Sequence, residues 1–273
     1  MRNTLASSLV ISNLSSIGST GIEVRVGQGD NQKKFLVHKD LVISRSRFFL
    51  NALRGNWKEA EENAITFPED DPEVFGLYVQ LLYFERLPMD DLFPGMKHDT
   101  SQPAINLFMS KVDDDSFDYS NKTSRYGDGN RCSFVWDLVP LSKLYVLCEE
   151  LQDVIAKNLI VDAFIDVIRH KCETCWHYPN STDVNIIYDG TMETSPLRQL
   201  LVDVYVKYAK DENHFDYDQL PKRFIYDVMV GKLTQKEWSI DFKLVSKTRK
   251  YFEKTERNGR ETALPLPIRA PGK

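Results

Sequence analysis

The sequence predicts an α+β fold, a small sheet flanked by helical hairpins and followed by additional C-terminal helices. Three observations carry that expectation. Short apolar segments of strand character stand close together around residues 22 and 36. A strongly amphipathic helical stripe opens at Asp71-Pro72. From Trp136 onward apolar residues recur at helical spacing.

Ile22, Val24 and Val26 alternate with Glu23 and Arg25, the period of a strand with one buried face. Gly27-Gln28-Gly29-Asp30-Asn31 supplies turn residues and Phe35-Leu36-Val37 a second strand, so the pair reads as a β-hairpin. A short helix is expected over 38–44. Ser46 can cap another that bears Phe48, Phe49, Ala52 and Leu53, with Gly55 suited to its end. Ala64-Ile65-Thr66-Phe67 is a third strand. Asp71 is a good N-cap, and Pro72 at the first helical position sacrifices no hydrogen bond. Val74, Leu77, Tyr78, Leu81 and Leu82 then form one apolar stripe, which ends before Pro88.

Residues 88–133 are rich in Pro, Gly, Ser, Asn and Asp, hold eight acidic and five basic side chains, and keep no period; they read as a long surface insertion. Order resumes with Leu138, Leu141, Tyr145 and Cys148 on one helical face. Leu151, Val154, Ile155, Leu159, Phe164, Ile165 and Ile168 follow on a second, packed helix, with Cys148 a small core residue. Residues 171–194 read as irregular. Ser195-Pro196 opens a helix through Leu197, Leu200, Leu201, Val204, Tyr205 and Tyr208. Pro221 opens a shorter one with Phe224, Ile225, Val228 and Met229. Thr234 and Glu237 suggest a capping box for a last helix through Trp238, Phe242 and Val245, and Pro265, Pro267 and Pro271 mark a fraying tail.

Composition narrows the function classes. Hydrophobic residues make up 42%, enough for a packed core. No stretch approaches the ~18 unbroken apolar residues of a membrane span. Residues 1–20 form an N-terminal segment that makes a poor secretory signal. Four cysteines are too few for a disulfide scaffold, so an intracellular protein is expected. The net charge of −5 divides unevenly. Residues 232–273 hold 11 basic and 5 acidic side chains, leaving the preceding body at −11, which disfavours general binding to nucleic acid. The tail could meet an acidic partner, RNA or an import receptor, or be a solvated helix of mixed charge.

The catalytic signals are weak. No G-x-S-x-G motif occurs, and the histidines at 38, 98, 170, 177 and 214 fall in no catalytic pattern. Gly27-Gln28-Gly29 lacks the remainder of a phosphate loop. One metal-like cluster exists, His170, Cys172, Cys175 and His177, in which Cys172-x-x-Cys175 has zinc-knuckle spacing. A second ligand pair is missing, and a loop with two thiols near a helix end is the alternative. The expectation is therefore no catalytic residue, no cofactor and no metal.

Positions 21 to 85 resemble a BTB/POZ domain of the divergent type found as many paralogues in filamentous fungi. The residues that carry the resemblance are Phe35-Leu36-Val37-His38-Lys39-Asp40-Leu41-Val42, then Ser44, Ser46, Phe48-Phe49, Ala52-Leu53 and Gly55. Trp57-Lys58-Glu59-Ala60, Ile65 and Pro68-Glu69-Asp70-Asp71-Pro72-Glu73-Val74-Phe75 continue the series. The segment 194–203, beginning Thr194-Ser195-Pro196, resembles the helical C-terminal part of the same proteins. The organisation expected from this resemblance is an N-terminal segment (1–20) and a BTB/POZ-like domain (21–150) interrupted at about 88–133. A helical region (151–231) and a basic helix with a Pro-containing tail (232–273) follow.

The resemblance implies a non-enzymatic module for protein–protein interaction, through self-association as a homodimer or through other protein partners. It also implies a charged pocket formed by an acid on the first strand and a base after the second, here Glu23 and Lys39. Glu23 stands where Asp is more usual, and an exposed Glu23 with Lys39 capping a helix is the alternative. Members that recruit cullin-3 ubiquitin ligases use the surface around the long helix, where Tyr83-Phe84-Glu85 matches a hydrophobic-x-acid contact; a cullin-3 substrate adaptor is therefore a second expectation. The insertion departs from the short connection of the compact family pattern, and a recognisable substrate-reading domain is missing. A zinc- or redox-active protein acting through Cys172 and Cys175 is the third expectation. No membrane and no specific nucleic acid are expected as partners.

Overall fold

The structure, a computed structural model of the 273-residue chain, describes residues 20–54, 62–93, 137–169, 178–208, 217–234, 251–257 and 260–262. Among the described residues, nine helices accompany a three-stranded mixed sheet and a two-stranded ribbon, an α+β architecture. The helices and strands divide between two compact units. The first takes the described residues of 1–85, 147–159 and 252–273, and the second those of 86–146 and 160–251. The division therefore does not follow chain order.

The sheet belongs to the first unit. Strand β1 (Gly21–Val26) pairs antiparallel with β2 (Lys33–His38), Val24 opposite Phe35, and parallel with β3 (Ala64–Phe67), Val24 opposite Ile65, in the order β2-β1-β3. Alternation puts Ile22, Val24 and Val26 on the buried face and Glu23 and Arg25 on the other. A short 3₁₀ turn at Gly29–Asn31 joins β1 to β2. Gly27 there has φ 83°, and a Cβ on it would come within 3.0 Å of Pro72 Cγ and 3.1 Å of Asn31 O, so glycine is required twice over. Between β2 and β3 lie helices α1 (Lys39–Arg45) and α2 (Arg47–Ala52), the latter capped by the Ser46 side chain, which accepts the Phe49 N–H at 3.2 Å. Helix α3 (Pro72–Phe84) starts as its sequence predicts, with Asp71 accepting from Glu73 N–H at 3.0 Å, and ends on Glu85 at φ 52°.

A short helix α4 (Met89–Leu92) follows, with Met89 and Phe93 buried in the second unit. The expected insertion at 88–133 thus begins with packed residues, because Met89 and Phe93 sit one helical turn apart; residues 94–136 lie outside the described ones. Helices α5 (Val139–Glu150) and α6 (Val154–Arg169) are joined through Gln152 at φ 54°. The start of α6 corrects the expected stripe. Ala156, Lys157 and Asn158 are buried there, while Val154, Ile155 and Leu159 are half-buried.

Helix α7 (Ser181–Gly190) corrects the irregular reading of 171–194. Asn180 and Asp183 form a reciprocal capping box, and Val184, Ile187 and Tyr188 supply the i, i+3, i+4 face that buries it. Helix α8 (Pro196–Tyr208) has the expected buried stripe of Leu197, Leu200, Leu201, Val204 and Tyr205. Arg198, itself buried, donates to the Tyr188 and Thr191 carbonyls and so closes the C-terminus of α7. Helix α9 (Lys222–Leu233) packs through Phe224, 4.7 Å from the Tyr205 ring and 5.3 Å from that of Tyr188; Met229, expected inside, is exposed.

Thr234 donates its hydroxyl to Val230 O at 2.7 Å at the C-terminal end of α9. Residues 235–250, with the expected last helix, lie outside the described ones. Within the expected tail, strands β4 (Thr255–Arg257) and β5 (Arg260–Thr262) pair antiparallel, Thr255 opposite Thr262. Among the described residues no helix is long and apolar enough to cross a membrane.

Candidate interaction surface

Three of the segments in which the sequence resembles that family, those bearing Phe35, Phe48-Phe49 and Phe75, meet in one aromatic cluster. Ring centroids of Phe35 on β2 and Phe75 on α3 lie 5.0 Å apart. Phe67, ending β3, is 5.9 Å from Phe75, 5.5 Å from Phe48 and 6.0 Å from Phe49. Tyr78 continues the cluster at 5.7 Å from Phe75. Val37, Phe49 and Pro72 are buried and Phe48 is half-buried. These motif residues hold the first unit together by apolar and aromatic burial.

The polar motif residues serve the backbone. Ser44 donates to Leu41 O at 2.7 Å, and buried Ser46 also donates to Leu151 O at 2.5 Å. Pro68 is exposed. Asp70 is half-buried, and burial, aided by neighbouring Glu69, pushes its carboxyl above the ordinary range. Gln28 in the hairpin turn donates to Glu69 Oε1 at 2.9 Å, tying that turn to the segment before α3.

Glu23 and Lys39 take separate partners. Arg25 Nε donates to Glu23 Oε1 at 2.5 Å and Lys34 Nζ lies 3.6 Å away; the Arg25 hydrogen bond, with Lys34 adding to it, holds the Glu23 carboxyl below its usual range. Lys39 Nζ donates to Asn63 Oδ1 at 3.2 Å, and its N–H to Thr20 O at 2.9 Å. The charges of the expected pocket are therefore each engaged by a different neighbour.

Tyr83, Phe84 and Glu85 also part company. The Tyr83 hydroxyl is 2.7 Å from His38 Nδ1 and accepts the His38 N–H at 3.0 Å. Glu85 accepts from Arg45 Nη1 at 3.3 Å. Phe84 is exposed. On the outer face of the sheet, Leu36 is exposed opposite Glu23, close to Lys34. Leu36 and Phe84 are the large apolar side chains this unit offers among the described residues, and each can contribute to recognition by burial against another surface.

A buried polar network lay beyond the sequence reading. Asp153 precedes α6 and caps it, accepting from Ala156 N–H at 2.9 Å, from Tyr78 OH at 3.3 Å and from Arg45 Nε at 3.5 Å. Burial pushes the Asp153 carboxyl up, with Arg45 opposing, and pushes the Tyr78 hydroxyl well up, with Asp153 adding to it. Arg45 Nη2 is buried without a hydrogen-bond partner among the described residues. Nearby in sequence, buried Lys157 is ion-paired with both Glu149 and Glu253. Asn158 pairs both ways with the Glu253 backbone, donating to its carbonyl at 3.0 Å and accepting its N–H at 2.8 Å. An Asp directly before a helical stripe was a legible cap signal. The partners of Lys157 and Asn158 were not.

His170, Cys172, Cys175 and His177 lie outside the described residues. Among the described ones no group of three or more His, Cys, Asp or Glu side chains is arranged around a metal position. Cys148 is buried, and burial pushes its thiol well up, the environment of an inert core residue. Comparison of the sequence with protein-family models and with curated proteins gave no match.

Proposed function

We propose that this chain is a non-enzymatic protein–protein interaction module of BTB/POZ type, acting inside the cell by self-association or by binding partner proteins. The observation that carries the reading is the convergence of residues 35–39, 46–49 and 68–75 on one aromatic cluster beside a β2-β1-β3 sheet. These are the segments in which the sequence resembles that family, and their order in the sheet and helices is compatible with a small sheet flanked by helical hairpins. The exposed Leu36 and Phe84 supply the apolar surface that an interaction module needs. Light scattering on the full chain at low and at high salt tests self-association: about twice 31.6 kDa supports it, and 31.6 kDa at both salts leaves only hetero-association.

A second reading, a cullin-3 substrate adaptor, is favoured by the exposure of Phe84 at the end of α3. Purified cullin-3 captured by the wild-type chain and released by Phe84→Ala would support it; no capture by the wild type would remove it.

A further inference from the structure

One side chain of helix α6 reads the main chain of a distant segment. The Asn158 carboxamide donates to the Glu253 carbonyl at 3.0 Å and accepts the Glu253 N–H at 2.8 Å. Bonds to both main-chain groups of one residue are what a neighbouring strand makes in an antiparallel ladder, and they hold a residue whatever its side chain. Beside Asn158, buried Lys157 adds the side-chain contact by pairing with the Glu253 carboxylate. Lys157 and Asn158 thus supply the two parts of a peptide site, one for a non-helical main chain and one for a glutamate.

The site stays satisfied without its occupant. Lys157 is also paired with Glu149, so two carboxylates share one ammonium, and Glu149 Oε2 is buried without a hydrogen bond among the described residues. Withdrawing Glu253 would return its charge to water, leave Lys157 neutralised by Glu149 and free an ammonium proton for Glu149 Oε2. No buried charge would be stranded. The occupant itself is shallow: Phe252 and Glu253 are half-buried and Lys254 is exposed. After them, strands β4 and β5 pair with each other and do not join the three-stranded sheet. Before them, Tyr251 is buried and donates to Asp203 Oδ2 at 2.6 Å, both residues of the second unit, an anchor that does not depend on Asn158. Glu149, Lys157, Asn158 and Glu253 all belong to the first unit.

We propose that Lys157 and Asn158 form a binding site for a glutamate-bearing peptide segment, and that the chain's own residues 252–254 close it as a displaceable strap. A partner segment of that chemistry binds by displacing the strap, so the contact is autoinhibitory. The site uses none of the residues that carry the BTB/POZ reading.

The test uses the full chain, its Glu253→Pro variant and a fluorescent peptide of residues 252–262. Glu253→Pro removes the amide proton and the carboxylate that the site holds and leaves Lys157 with Glu149. In the wild type the strap competes as an intramolecular ligand at an effective concentration of order 1 mM. The peptide is therefore expected to bind Glu253→Pro at least about ten-fold tighter than the wild type, and adding Asn158→Ala to that variant should weaken it about ten-fold. Hydrogen exchange on the wild type is the second readout: the Glu253 amide should be protected at least about ten-fold less than the amides of β1, as local opening requires. Equal peptide binding by the two chains, no saturable binding to Glu253→Pro, indifference to Asn158→Ala, or a Glu253 amide as protected as β1 overturns the proposal. Loss of the folded amide spectrum of β1 and α3 in Glu253→Pro makes residues 252–254 part of the unit's core, which also overturns it. A dimer in light scattering that Glu253→Pro dissociates makes the segment an exchange between two copies and overturns closure within one chain. A monomer throughout, with the peptide bound to Glu253→Pro, would remove self-association and leave this site intact.

Discussion

His38 holds the hydroxyl of Tyr83 at two points. Its backbone N–H donates to the hydroxyl oxygen at 3.0 Å, and its ring Nδ1 lies 2.7 Å from the same atom. The hydroxyl, with one donor and two acceptor positions, thus bridges the main chain and the ring of one residue. The link fastens the end of β2 to the last turn of α3, so Tyr83 acts from within the unit while its neighbour Phe84 faces outward. Tyr83→Phe removes both contacts and should cost about 1–2 kcal/mol by urea unfolding, against less than about 0.5 kcal/mol for Phe84→Ala.

Asp183 predicts a pH dependence. Burial pushes its carboxyl from 3.8 to about 6, against the hydrogen bonds it accepts from Asn180 N–H and Ser142 Oγ. Between those values the folded chain binds a proton that the unfolded chain has released. The stabilisation is thus fully present below about pH 3.8 and lost as pH rises through about 6. Asp183→Asn keeps an acceptor oxygen and removes the titration. Between pH 4 and pH 7 the stability of the wild type relative to this variant should fall by about 2–3 kcal/mol, read from urea midpoints at each pH. Parallel profiles for the two proteins would refute the assignment.

Lys157 is a buried cation shared by Glu149 and Glu253. Lys157→Ala would leave two partly buried carboxylates facing each other without compensation, at about 3–5 kcal/mol. Asn158→Ala removes only the two hydrogen bonds to the Glu253 backbone and should cost about 1–3 kcal/mol. Equal losses in chemical denaturation would contradict the ranking.

Gly27→Ala would put a Cβ on a residue of left-handed φ, 3.0 Å from Pro72 Cγ and 3.1 Å from Asn31 O. A loss of about 1–3 kcal/mol is expected. Gly29→Ala is the control. It shares the positive φ, but a Cβ there meets nothing within 4 Å, so only the backbone term of about 1 kcal/mol remains. Differential scanning calorimetry of both variants separates the two contributions.

Most elements of the first unit, and the helices starting at Val139 and Pro196, were legible from residue order alone, because their signals act over a few positions. Period-two alternation at Ile22–Val26, the Ser46 cap and the Asp71-Pro72 start each work through bonds to residues two or three away. The α7 capping box of Asn180 and Asp183 is equally local, and polar neighbours hid it. Tertiary structure decided where the polar residues went. Arg45 meets Asp153 across 108 positions and Asn158 meets Glu253 across 95. No period records such pairs, because a buried charge is tolerated only where the chain brings its partner. The same holds for α9: a helix apolar on both sides does not reveal which side faces its own core, and the close approach of Gly231 to Val206 settles that Met229 and Leu233 face away.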